Sequence, residues 1–231
     1  MKNILKEYVR EVLKESVDPS GFAAFIGESF FNPDAKEAVL VDLKKFDAAF
    51  KETKKKHPLF TDFDAVKKAA RESVVGYISV GPPLRGKAWG AWEVTRSAGR
   101  GYGKIIYGIG YALSPNGLLM PDRSSVSDEA KTAWQKASKS RDSLQLDAMP
   151  PENRTDTKQD DTDLHDEEGY EYLDRAYKEQ GWEKGMLASL IAAGDALEEK
   201  IRKILKGKRV DFAIGAFLSA GGSLFGRLFN E

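Results

Sequence analysis

Arg96, Gly99, Gly101 and Gly103 stand in the run Val94-Thr-Arg-Ser-Ala-Gly-Arg-Gly-Tyr-Gly-Lys-Ile-Ile-Tyr107, where a short apolar segment enters a glycine-rich turn and leaves at helical spacing. The glycines alternate with Arg100 and Tyr102, so the chain can turn sharply and offer several amide N–H groups where a helix begins. A helix start of that kind favours a phosphate, and Arg96 and Arg100 add positive charge for one. Glu93, beside Trp92 and immediately ahead of this run, is a carboxylate against an apolar wall and suits a proton acceptor.

Rival chemistries lack parts. A dinucleotide fingerprint wants a third glycine at position 104 and an acid closing a strand about twenty residues on; position 104 is Lys, and Asp122 follows Pro121. A Walker loop needs Gly-Lys-Ser/Thr, and Gly103-Lys104 is followed by Ile105. Asp161-x-Asp163-x-His165-Asp166 invites a cation but lacks the glycine of a calcium loop, so no metal is assigned. His57 and His165 are the two histidines, and neither sits in an arrangement that makes a hydrolytic triad. The absence of cysteine excludes disulfides, thiolate metal sites and a thiol nucleophile.

The surrounding pattern supplies a scaffold. Ile4, Leu5, Tyr8, Val9, Val12 and Leu13 predict an amphipathic helix over residues 4–13. Residues 21–27 and 37–42 read as strands, and Leu43, Phe46, Ala49 and Phe50 start a helix that runs into Lys54-Lys55-Lys56, a solvated end. Residues 62–73 form a second helix capped by Thr61 or Asp62. Residues 74–80 and 89–94 make two further strands, 104–113 a helix, and 117–120 a short buried strand. Strand, glycine turn, helix and strand form a βαβ unit with a parallel pair.

Ser127 opens a helix whose buried face is Ala130, Ala133, Trp134 and Ala137. Residues 138–168, rich in Asp with Pro150-Pro151, read as an exposed loop. Tyr170, Leu173, Ala176 and Tyr177 restore helical spacing, as do Met186, Leu187, Leu190 and Ile191, and the pattern continues to Lys206. The apolar tail from Val210 approaches spanning length, but Asp211, Arg227 and its glycines favour a packed or partner-docking helix over a membrane span.

The spacing Arg96-x-x-Gly99-x-Gly101, followed by Tyr102-Gly103 in its strand–turn–helix setting, resembles the acyl-coenzyme-A pyrophosphate loop of the GNAT N-acyltransferase superfamily. The likeness spans residues 21–137, with its specific part in 89–137. It implies an α/β (α+β) fold, a GNAT-like mixed sheet flanked by helices, with a helical C-terminal extension. It also implies that the strand before the loop holds a pantetheine arm through its backbone, that the loop amides take the pyrophosphate, and that the next strand splays away to form the cofactor cleft. The residues so assigned to acetyl-CoA are Val94, Arg96, Gly99, Arg100, Gly101, Tyr102 and Gly103. Glu93 falls where relatives carry the glutamate that deprotonates the amine.

The family pattern Asn-x-x-Ala-x-x-Leu-Tyr falls here on Ser127-x-x-Ala130-x-x-Ala133-Trp134. Trp134 thus replaces the tyrosine that protonates the leaving thiolate, and Tyr102, Tyr107, Tyr111 or water must substitute. The run 117–127 is also similar to segments of GNAT-like proteins of tailed phages, in which Asp122 and Arg123 could fix the splayed strand or Ser124 and Ser125 face the substrate. That likeness implies a second function: a virion structural or interaction protein that keeps the fold without catalysis and assembles through residues 4–13 and the tail from Val210.

The expected organisation is an N-terminal amphipathic helix (1–20), a GNAT-like domain (21–140), an acidic linker (141–168) and a helical extension with an apolar tail (169–231). Thirty-six basic and thirty-six acidic residues cancel, so no whole-chain field argues for nucleic acid or membrane. The N-terminus lacks the apolar core of a signal peptide, and a cytoplasmic protein is expected.

Overall fold

A computed structural model describes residues 18–29, 32–83, 90–99, 101–122, 126–146 and 171–228. The expected helix over 4–13, Trp89, Arg100, Arg123, Ser124, Ser125 and the acidic run containing Asp161, Asp163, His165 and Asp166 lie outside the described residues.

A seven-stranded mixed sheet in the order β1-β2-β3-β4-β5-β7-β6 carries helices on both faces. Strands β1 (Phe22–Glu28) and β2 (Lys36–Asp42) pair antiparallel from Phe22↔Asp42 to Glu28↔Lys36. Asp42 ends β2 and caps helix α1 (Leu43–Lys56) by accepting from the amides of Lys44 and Lys45. Thr61 caps α2 (Asp62–Ser73) through the Asp64 amide. Strand β3 (Val74–Gly81) is buried along its whole length, as its β-branched composition requires of a central strand.

Strand β4 (Trp92–Ala98) pairs antiparallel with β3 and continues to Ala98, beyond the expected end at Val94, because its pairing extends to Tyr77↔Ala98. Helix α3 (Gly103–Leu113) follows the glycine turn and leads to β5 (Leu118–Met120), which lies parallel to β4. This is the βαβ unit read from the sequence. Helix α4 (Asp128–Ser140) is capped by Ser127.

Two readings of the C-terminal half are corrected. The segment 138–168 does not begin as a loop, because 138–140 complete α4 and Ser143–Gln145 form the edge strand β6. This strand pairs antiparallel with residues 175–177 from Ser143↔Tyr177 to Gln145↔Arg175, and Arg175 adds to that pairing by donating to Ser143 Oγ at 2.7 Å and to Gln145 Oε1 at 2.9 Å. The second correction replaces the helix expected over Tyr170, Leu173, Ala176 and Tyr177 by a 3-10 turn (Glu171–Asp174) and strand β7 (Arg175–Lys178). Ala176 and Tyr177 are neighbours that enter cores on opposite faces, which a strand does and a helix face does not. So short an apolar run fits either periodicity.

Strand β7 sits between β5 and β6, and helices α5 (Trp182–Ile204) and α6 (Val210–Leu228) pack on the same sheet. Residues 171–228 therefore share their cores with the segment before 141. On one face α3, α4 and the first half of α5 enclose Ile78, Val80, Ile109, Leu119, Trp134 and Leu190. On the other, α1, α2, the second half of α5 and α6 enclose Phe46, Val66, Tyr77, Ile201 and Phe217. The tail is thus a packed helix that buries Ala213, Phe217 and Ala220, with Phe217 stacked on Phe25 at 4.7 Å. Among the described residues no helix is long and apolar enough to cross a membrane.

Candidate functional site

The site begins with an irregularity in the β3–β4 pairing. Ser79 opposes Arg96 and Val80 opposes Val94, so Thr95 is an extra residue, a bulge. Its hydroxyl contacts Ser79 Oγ at 3.1 Å. A bulge bends its strand, and here the bend coincides with the end of the parallel pairing, which covers Trp92↔Leu119 and Glu93↔Met120. Beyond that point β4 runs on without β5 beside it. β5 itself ends at Met120, and an opening of about 100 Å³ lies between β4, α3, the chain after β5 and α4, lined by Val94, Thr95, Ser97, Tyr107, Asp122 and Trp134.

A larger hollow of about 490 Å³ adjoins it between α3 and α4 and shares Tyr107 and Trp134 as walls. Lys104, Lys136, Arg141 and Gln180 give it a basic, polar rim. Lys104 also sits over the Trp182 ring at 5.7 Å.

At the end of β4 the chain turns through Gly99 (φ 150°) and Gly101 (φ 85°), and the Tyr102 amide donates to Gly99 O at 3.0 Å. Helix α3 then starts at Gly103 with no side-chain cap and no acid in its first turn. The amides of Gly103, Lys104 and Ile105 therefore have no partner inside the helix, and the positive end of the helix dipole is not offset by a local carboxylate. Of the other helices, α1, α2 and α4 are each capped by an oxygen side chain, and the helix Trp182–Ile204, which starts at Gly181 and likewise has no side-chain cap, carries Glu183 in its first turn.

The residues singled out in the sequence separate by location. Val94 is buried in the wall of the opening, and Gly103 lines the larger hollow. Gly101 is exposed at the turn, whereas Gly99 packs in, since a Cβ there would stand 3.2 Å from Gly76 Cα. Tyr102 turns its ring edge-on to Phe22 at 5.6 Å. Arg96 contributes to the opening, yet its charge acts on Tyr77, whose hydroxyl burial and Glu37 hold well above the usual phenol range while Arg96 works the other way. Glu93 is 4% exposed on β4, alternates with Val94, and lines neither hollow. Its strand neighbour Met120 belongs to the small core of Ala91, Leu118, Leu146 and Ala176, so Glu93 meets the gap from the opposite face.

Among the three tyrosines left open by the sequence, geometry distinguishes one. Tyr107 walls both hollows, its hydroxyl lies 3.4 Å from Ser97 Oγ, and its ring meets Trp134 edge-on at 5.3 Å. Burial raises its pKa, with the Ser97 contact opposing. Tyr111 lies deeper in the larger hollow under the Arg141 guanidinium at 4.0 Å, and its buried hydroxyl has no hydrogen-bond partner among the described residues. Trp134 is 2% exposed, stacked on Tyr177 at 5.7 Å.

Sequence reasoning missed the basic rim. Lys104 was within reach, because it directly follows the glycine turn. Arg141 was not, because its setting depends on Glu183, a residue on another helix whose carboxylate it meets at 2.7 Å. Among the described residues no group of His, Asp and Glu is placed to hold a metal ion.

No protein-family model matches this chain, and no curated protein and no solved structure matches it significantly. The observed mixed α/β architecture and the geometry above are therefore the ground for a functional reading.

Proposed function

We propose that the chain is an acyl-CoA-dependent N-acyltransferase of GNAT-like fold, transferring an acetyl group to an amine. One observation carries the reading: the parallel pairing of β4 with β5 ends at Glu93↔Met120, so β4 runs on through the Thr95 bulge without β5 beside it, toward an uncapped, acid-free helix start. A pantetheine arm is an extended chain bearing two amides, and it would lie along the β4 edge that β5 leaves at residues 94–98. The amides of Gly103, Lys104 and Ile105 would take the pyrophosphate. The basic hollow with Lys104, Lys136 and Arg141 would accommodate the nucleotide end.

In this reading the amine nitrogen attacks the thioester carbonyl carbon and the C–S bond breaks, leaving its electron pair on sulfur. Tyr107 supplies the proton to sulfur from the cleft side, in the role that Trp134 cannot fill, because an indole N–H is not a useful acid. Glu93 takes the amine proton through water from the other face.

A second reading, a virion or other interaction protein of the same fold without catalysis, is favoured by one feature: Trp134 stands where the family tyrosine falls and is locked in the core between Tyr107 and Tyr177. Calorimetry with acetyl-CoA separates the two. Micromolar binding that Gly101→Trp abolishes, together with release of free thiol when an amine panel is supplied, supports transfer. No binding at millimolar acetyl-CoA would sink it, and binding without thiol release would leave the fold with its ligand but without the reaction.

A further inference from the structure

At the end of the molecule where α1 and α5 finish and α2 and α6 begin, large apolar side chains protrude through a basic collar. Leu59 is 97% exposed, Phe60 40% and Phe212 75%, and these three make up most of the large apolar side chains that the described surface exposes. Leu59 and Phe60 lie in the turn between α1 and α2, after Lys54-Lys55-Lys56 and the pair His57-Pro58. Phe212 lies in the first turn of α6, after Lys206-Gly207-Lys208-Arg209 and the pair Val210-Asp211.

The two turns belong to one surface. Arg209 lies over the ring of Phe63, the second residue of α2, at 5.4 Å, and α2 packs along α6. Lys54 holds the first turn in shape by bonding Asp62 at 2.9 Å and Phe60 O at 3.2 Å. Lys206, Gly207 and Arg209 all adopt positive φ, so the second turn has a defined shape as well.

Three of the acids at this end are engaged, and Asp211, beside Phe212 in the first turn of α6, is exposed. Asp62 pairs with Lys54, Glu52 with Lys56, and Asp64 accepts from the Thr61 hydroxyl. Lys55, Lys206, Lys208 and Arg209 make no ion pair among the described residues and outnumber Asp64 and Asp211, the acids of these two turns that likewise make none, so the collar carries an excess of positive charge although the whole chain is neutral.

We propose that this end docks on an anionic phospholipid surface. Leu59, Phe60 and Phe212 enter the headgroup boundary, while Lys55, Lys206 and Lys208 meet lipid phosphates. Protruding apolar tips ringed by cations match the two components of such a surface, an apolar interior beneath a negative plane. A nucleic acid would use the cations but gain nothing from aliphatic Leu59, and a second copy of the chain would bring like charges together. The docking requires no spanning helix and is independent of the acyltransferase reading.

The test is co-sedimentation of the full chain with vesicles of phosphatidylcholine alone and of phosphatidylcholine with phosphatidylglycerol. Sedimentation with the anionic vesicles only, weakening as salt rises, is expected. Leu59→Asp/Phe212→Asp should reduce the anionic partition at least tenfold and Lys206→Glu/Lys208→Glu likewise, with unchanged circular dichroism and melting because all four side chains are exposed. No sedimentation with anionic vesicles overturns the proposal, as does binding that survives both double variants. Self-association in sedimentation equilibrium, abolished by Leu59→Asp/Phe212→Asp without any vesicle binding, overturns it in favour of a contact between copies.

Discussion

Tyr107 on α3 and Ser97 on β4 meet across the mouth of the cleft, hydroxyl to hydroxyl at 3.4 Å. The contact holds a phenol that burial keeps protonated beside the strand edge proposed for the acyl thioester. Tyr107→Phe should lower kcat about 100-fold with little change in KM for acetyl-CoA. Because burial raises the Tyr107 pKa above the ordinary phenol value of about 10, any alkaline decline of transfer through this group should have its midpoint above about 10. An alkaline limb with a midpoint below 10 that disappears in Tyr107→Phe would refute the assignment. Introducing Trp134→Tyr into that variant places a phenol where the proposed likeness to GNAT acyltransferases puts a tyrosine, and partial recovery of kcat is expected.

Alkali should unfold this core through its tyrosines. Burial pushes Tyr177 up to about 12, and its hydroxyl donates to Tyr172 O at 2.6 Å; burial likewise raises Tyr107 and Tyr111. A folded-state pKa above the unfolded value of about 10 means that the unfolded chain loses the proton first. The stabilisation is thus complete below pH 10 and is lost as pH rises toward 12. Urea midpoints should be flat from pH 8 to 9 and fall above 10, less steeply in Tyr177→Phe; an equal fall in that variant would refute the linkage.

Arg141 and Glu183 form a buried pair that joins α4 to α5. Glu183 is fully buried, its carboxylate accepts from Arg141 at 2.7 Å and from the Gln180 amide at 2.9 Å, and Arg141 also donates to Lys178 O at 3.0 Å. Arg141→Met leaves a buried carboxylate without its cation and should cost about 3–5 kcal/mol in urea unfolding, whereas Arg141→Met/Glu183→Leu should cost clearly less. Equal losses would mean that the charges contribute little beyond packing.

The two glycines of the turn should differ under substitution. At Gly99 a Cβ would lie 2.1 Å from Ile106 Cδ1 and 3.2 Å from Val75 O, so Gly99→Ala should destabilise by roughly 2–4 kcal/mol. At Gly101 a Cβ meets nothing within 4 Å, and its φ of 85° is the whole penalty, about 1–2 kcal/mol. Gly101→Ala should therefore fold and show its main effect on acetyl-CoA binding. Denaturation midpoints beside calorimetric titration check both, and a Gly101→Ala chain with wild-type affinity would remove the turn from the proposed cofactor site.

Local pattern determined much of this protein. The β-branched content and length of residues 74–80, the caps at Thr61 and Ser127, and the glycine turn between Val94 and Ile105 each specify their element through interactions within a few residues, and each element stands where the sequence puts it. Tertiary structure decided whatever depends on partners distant in the chain. Ala176 and Tyr177 form a strand because β5 and β6 wait on either side. Thr95 becomes a bulge through its register with Ser79 and Val80. Tyr107 stands out from Tyr102 and Tyr111 once α3 lies against β4, and Arg141 acquires its carboxylate from a helix that starts about forty residues later. Pairing free energy between remote segments is a property of two sequences brought together, so neither segment read alone contains it.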